Sequence, residues 1–90
     1  MTAPSITALP DIPYATPELA SDRETLARAG DHLWRVHDAA GRIIGHLRIA
    51  TTPLGLRYRA ERIHLATGTF RLIGEFWRVD EAVQTLRYLR

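Results

Sequence analysis

From residue 33 onward, apolar and polar positions alternate in four strand-length runs: LWRVHD, RIIGHLRIA, LRYRAERIH and TFRLIGEFW. All are rich in residues that favour a pleated, half-buried surface. The joints AAG (39–41), PLG (53–55) and ATG (66–68) each place two turn-compatible residues before a glycine. That pattern suits a three-residue hairpin loop whose Gly takes a left-handed bulge conformation. It predicts an antiparallel four-stranded meander with strands at about 33–37, 43–50, 56–64 and 69–77. Beyond it the period changes: Val79, Ala82, Val83, Leu86 and Leu89 recur at three and four residues. This is one apolar face of a helix over about 79–89, packed on the sheet. Asp80 and Glu81 in its first turn, and Arg87 and Arg90 at its end, match the helix dipole.

Upstream the signals are thinner. Pro4, Pro10 and Pro13 lie among small residues, and residues 1–16 read as an extended or disordered arm. Residues 17–90 then form a single small domain of the α+β class. A short N-terminal helix is expected at about 22–29. Its start is marked by Thr16–Pro17 or by the Ser21/Glu24 capping box, and its end by Gly30.

With three-residue loops, Leu56, Tyr58 and Ala60 share a sheet face with Phe70, Leu72, Gly74 and Phe76. The other face carries Arg57, Arg59, Glu61, Arg71 and Glu75, with Ile63, Ile73 and Trp77. Across the first two strands, Trp34, Val36 and Ile44 fall on one side, and Leu33, Ile43, Leu47 and Ile49 on the other. One helix cannot cover both sets. The N-terminal segment or a second subunit covers the remainder, or the register slips by one across the PLG turn and flips those strands.

Composition narrows the function classes. At 90 residues, 46% apolar and 24% charged, the chain reads as one globular domain with one modest core. It has no apolar run long enough to cross a membrane and no basic-then-apolar secretion signal, so the expectation is a cytoplasmic protein. Cysteine is absent, which excludes disulfides and thiolate metal sites. All twelve basic residues are Arg, and Lys and Asn are absent, as expected from a GC-rich, bacterial genome. The net charge of +2 is unevenly placed: residues 1–31 hold five acids against two Arg, and residues 32–90 ten Arg against five acids. The second part can therefore attract an anionic partner.

Candidate chemistry is sparse. His32, His37, His46 and His64 lack metal-ligand spacing, and the expected pairing puts His37 and His46 on opposite faces, so no metal is expected. The only serines, Ser5 and Ser21, lie in the arm and at a cap, and no glycine-rich phosphate loop precedes a helix. No catalytic residue and no cofactor are expected, so the chain reads as a binding domain rather than an enzyme. The Arg-bearing sheet face remains. Arg59 should lie opposite Glu75 and Arg57 opposite Trp77, an ion pair and a cation–π contact that a solvated face also explains.

The run YRAERIHLATGTFRLIGEFWRVDEA, about residues 58–82, resembles small DNA-binding domains made of one sheet and one helix. These are the plant ethylene-responsive-factor domain and the arm-binding domain of phage tyrosine integrases. Ala60, Glu61, Gly68, Gly74, Phe76, Glu81 and Ala82 fit the ethylene-factor pattern. Ile63, Phe70 and Leu72 stand where that family tends to have Arg, Arg and Trp, and Arg78 replaces a helix-capping Thr. The resemblance implies a sheet face, turned away from the helix, that enters the major groove.

Two functions follow as expectations. Double-stranded DNA binds through Arg48, Arg57, Arg59 and Arg71 with Trp77 as an apolar contact, chiefly by phosphate neutralisation. Alternatively, Leu33, Ile43, Leu47, Ile49 and Trp77 form a patch closed by a homodimer or another protein.

Overall fold

The computed structural model describes residues 13–89. Five strands and one helix follow in order: β1 (Thr25–Gly30), β2 (Leu33–His37), β3 (Ile43–Thr52), β4 (Gly55–His64), β5 (Thr69–Phe76) and α1 (Val79–Tyr88). The strands form one antiparallel sheet in the order β1-β2-β3-β4-β5, so every strand pairs with its neighbour in sequence. The architecture is α+β, a meander with a helix packed on one side.

Two expectations are corrected. The sheet has five strands, not four, and no N-terminal helix forms at 22–29. Those residues instead supply β1, which pairs with β2 from Thr25↔His37 to Gly30↔Leu33. The Ser21 signal is local: its Oγ accepts a 3.1 Å bond from the Arg23 amide and closes a turn, with no helix beyond it. Glu24, read as the partner in a capping box, is buried and pairs with Arg87 of α1. Six residues with a thin apolar stripe gain more from a sheet ladder than from an isolated helical turn.

The faces of the sheet turn on three one-residue irregularities. Because side chains alternate, each shift of one residue moves everything beyond it to the other face. Between Val36↔Gly45 and His37↔Ile43, Ile44 is an extra residue. That bulge sets Trp34 opposite Leu47 and so on the same side as Leu47 and Ile49. Thr52 pairs with Gly55, so the β3–β4 turn has two residues, Pro53 and Leu54, and the PLG register slips by one. Between Ala60↔Gly74 and Glu61↔Leu72, Ile73 is extra. Gly74 and Phe76 therefore stay with Ala60 and Tyr58, whereas Phe70 and Leu72 cross to the opposite face. The AAG loop behaves as expected: Asp38 and Arg42 close it, and Gly41 adopts φ 87°, a conformation costly for other residues.

One side of the sheet is thereby apolar over its centre, with Arg28, Arg62 and Arg71 toward its margins. Trp34, Val36, Ile44, Leu47, Ile49 and Ala60 form the core with Ala82, Val83 and Leu86 of α1. Gly45 lets α1 approach, since a Cβ there would lie 2.5 Å from Leu86 Cδ2. Helix α1 lies over β3, β4 and β5. The ground it leaves is covered by residues 13–24, which have no regular secondary structure but are well tied down. Tyr14 Oη lies 2.9 Å from Thr51 Oγ1, Trp34 Nε1 donates to Thr16 Oγ1 at 2.9 Å, and the Ala20 amide donates to Asp80 Oδ1 at 2.9 Å. Of the expected arm, residues 1–12 lie outside the described residues. No helix among the described residues is long and apolar enough to cross a membrane.

Candidate functional site

The side of the sheet away from α1 carries no covering element among the described residues. Alternation places its side chains in rows across the strands. One row runs Leu33, Arg48, Arg59, Glu75. The next runs Arg35, His46, Glu61, Leu72, and beyond it Ile63 stands beside Phe70. At the other end Arg57 lies under Trp77, its guanidinium 4.0 Å from the ring centroid.

Arg35 apart, each charge in this layer is partly matched. Arg48 Nε donates to both oxygens of buried Glu61, at 3.0 and 3.1 Å. Glu75 lies 3.8 Å from Arg57 and 3.6 Å from Arg59, ionic contacts without a hydrogen bond. The Nε atoms of Arg57 and Arg59 are shielded from solvent and find no hydrogen-bond partner. Four guanidinium groups (Arg35, Arg48, Arg57, Arg59) thus share the face with two carboxylates. The cross-strand pairs expected from sequence, Arg59 with Glu75 and Arg57 with Trp77, are both present.

His46 sits among these groups. Its ring meets Phe70 edge-on at 5.0 Å, and its Nδ1 is shielded and unpartnered. Its pKa is lowered, first by burial, then by the positive charge of Arg35; Glu61 opposes the shift and Arg48 adds to it. The imidazole is therefore neutral at pH 7. His37, expected on the opposite face, shares this one, because the Ile44 bulge reverses the register. No group of three or more His, Asp or Glu among the described residues could hold a metal ion.

The sequence-derived site residues divide. Arg48, Arg57, Arg59 and Trp77 come together on the uncovered face. Arg71 does not join them: it pairs with Arg62, on the α1 side. The proposed apolar patch separates as well. Leu47 and Ile49 are buried beneath α1 and residues 13–24, whereas Leu33, Ile43 and Trp77 remain on the open side, Ile43 and Trp77 about half exposed. Phe70 and Leu72 replace the two buried residues, at 39% and 48% exposure. Sequence reasoning missed Arg35 and His46 as members of this face. Their alternation with Trp34 and Leu47 would have placed them, had the bulge between them been visible.

A groove of about 610 Å³ also runs between residues 19–24 and α1; of its charged lining, Glu24 and Arg87 hold one another and Asp80 holds the Ala20 amide, while Arg23, Arg78 and Glu81 stand at its edges. Compared with known proteins, the chain matches no family model, no curated protein and no solved structure.

Proposed function

We propose that the uncovered sheet face binds double-stranded DNA, through Arg48, Arg57 and Arg59 with Arg35 at its margin and Trp77 as an apolar contact. The observation that carries this reading is the cation excess of the face, where Arg35, Arg48, Arg57 and Arg59 share it with the two carboxylates of Glu61 and Glu75. A phosphate oxygen is an acceptor of matching charge and geometry for the outward ends of these guanidinium groups. The likeness of residues 58–82 to sheet-plus-helix DNA-binding domains supports the same face. Phosphate contacts position a protein without reading sequence, and only the Arg tips and Trp77 reach outward here, so base reading is limited. The protein acts by binding rather than catalysis, in the cytoplasm.

Salt dependence tests the reading. A labelled random-sequence duplex, followed by fluorescence anisotropy, should lose affinity about 30- to 200-fold between about 50 and 200 mM salt for three or four phosphate contacts. Arg57→Glu with Arg59→Glu should abolish binding. An absence of binding at the lower salt overturns it.

A second reading has its own observation. Ile63, Phe70, Leu72 and Trp77 expose 40%, 39%, 48% and 53% of their surface on this side, an apolar content suited to a protein partner or a second copy. A mass that rises with concentration and falls on Leu72→Asp would favour it.

A further inference from the structure

The uncovered face ends, where β2, β3 and β4 run out toward their loops, in a cleft of about 720 Å³. That volume lies within the range of small-molecule sites, about 300 to 1,000 Å³. Its walls are apolar and wet: Ile43, Ile63 and Leu65 expose 54%, 40% and 90% of their surface, and Ile44 forms part of the floor. Large aliphatic side chains gathered around a concavity, rather than scattered singly, mark a place where an apolar body binds.

The rim of the cleft is cationic. Arg35 has no carboxylate within ion-pair distance among the described residues, and it stands exposed beside the cleft. Arg62 also lines it, from the α1 side; it spends its donors on the carbonyls of Ile44, Leu86 and Leu89 and has no carboxylate within ion-pair distance among the described residues. Arg42 leans on Asp38 at 3.4 Å with 74% of its side chain exposed. Two guanidinium groups, Arg35 and Arg42, therefore stand at the rim with the Asp38 carboxylate between them. His46 adds a shielded Nδ1 with no partner. The groups packed around its ring are Arg35 from β2, Arg48 from β3, Glu61 from β4 and Phe70 from β5. All the carboxylate capacity there belongs to Glu61, which Arg48 already occupies.

We propose that this cleft binds a small organic anion, with one carboxylate or phosphate group held by Arg35 and Arg42 beside the His46 ring and a short aliphatic body against Ile43, Ile63 and Leu65. Both head groups offer the same chemistry to the site, a compact anion accepting from a guanidinium. An anion beside the ring favours the protonated imidazole, so the ligand draws the His46 titration upward and binds more tightly as pH falls below neutrality. This site goes beyond the DNA reading and does not depend on it: the two share Arg35 at the margin, but Arg57, Arg59 and Trp77 lie at the opposite end of the face.

The test is titration of the full chain with octanoate and with octyl phosphate, followed by the methyl and His ring signals in NMR. Octyltrimethylammonium and inorganic phosphate serve as controls. Expected is saturable binding of at least one octyl anion, with shifts at Ile43, Ile63, Leu65 and His46, and whichever anion binds more tightly identifies the head group. Arg35→Glu should weaken it tenfold or more and Arg35→Gln less; Arg35 is exposed and makes no ion pair, so both variants should fold. Arg57→Glu with Arg59→Glu should leave it unchanged while removing DNA binding. Equal affinity for octyltrimethylammonium, or for inorganic phosphate without the alkyl chain, overturns the proposal, as does an Arg35→Glu variant that binds as the parent does.

Discussion

Arg87, on the last turn of α1, grips Glu24 with two hydrogen bonds, Nε to Oε2 at 2.7 Å and Nη2 to Oε1 at 2.6 Å, across 63 residues of sequence. The Glu24 side chain is only 4% exposed and that of Arg87 16%. The fork-to-fork geometry pushes the guanidinium pKa up, chiefly through the hydrogen bond to Glu24. Removing one partner leaves the other charge buried and alone. Arg87→Met should cost about 3–5 kcal/mol in urea unfolding, whereas Glu24→Leu with Arg87→Met should recover most of that loss. Equal costs for the single and double variants would contradict this account.

Arg62 ties β4 to the end of the helix. Its Nη2 donates to the Leu86 carbonyl at 3.1 Å, its Nη1 to the Leu89 carbonyl and its Nε to the Ile44 carbonyl at 3.3 Å. Terminal helix carbonyls lack intrahelical partners, and a cation there also suits the dipole. Arg62→Met should destabilise the protein by about 1.5–3 kcal/mol, the range for hydrogen bonds to a charged group. Amide exchange should accelerate first in the last turn of α1, and uniform acceleration along the chain would speak against this role.

Two glycines are expected to fail for different reasons. At Gly45 a Cβ would meet Leu86 Cδ2 at 2.5 Å, Cδ1 at 2.8 Å and the Glu61 carbonyl oxygen at 3.0 Å. Leu86 is fully buried and cannot swing away. Gly45→Ala should cost about 1–3 kcal/mol by overpacking. At Gly41 nothing lies within 4 Å, but φ is +87°, so Gly41→Ala should cost about 1–2 kcal/mol from backbone strain alone. Shortening Leu86 to Ala in each background separates them: it should ease the Gly45→Ala penalty and leave that of Gly41→Ala untouched.

The lowered pKa of His46 has a definite sign. Above pH 6.5, the ordinary value, folded and unfolded states both carry a neutral ring and there is no penalty. Below it the unfolded chain takes up a proton that the folded state resists, so stability is lost as pH falls through the folded pKa. Thermal melts from pH 7.5 to 5.0 should show a steeper decline in the parent than in His46→Gln. Identical slopes would refute the assignment.

The places of the hairpins and the last helix were readable because each depends on nearby residues, but of the three loops expected to have three residues only 39–41 does: 53–54 has two and 65–68 has four. The strands expected at 33–37, 43–50, 56–64 and 69–77 lie within two residues of those observed, and α1 ends one residue early. β1 was not readable. Ser21 and Glu24 carry a local helix-start signal, and only distant partners, Arg87 and the β2 edge, override it. The faces failed for a sharper reason. A bulge at Ile44, a two-residue turn at Pro53–Leu54 and a bulge at Ile73 each move the pattern by one, and a period-2 pattern carries no trace of where such a step falls. Arg57, Arg59 and Trp77 were found together because no irregularity lies between them and their partners. Arg71, Phe70 and Leu72 lie beyond Ile73 and were assigned to the wrong sides.

Sequential strand order also sets a schedule for folding. Every sheet partner is the next strand along the chain, so the loops closed in forming the ladder are short and their entropy cost is small. The long closures are made by residues 13–24, which reach Asp80 and Arg87. A nucleus of β2, β3 and β4 should therefore form early, and the clasp between the first segment and the helix should arrive late. Substitutions at Glu24 and Arg87 are then expected to speed unfolding while barely slowing folding, and substitutions at Leu47 or Ala60 to do the reverse. The clasp acts as a latch: it governs how long the folded molecule lasts rather than how fast it forms.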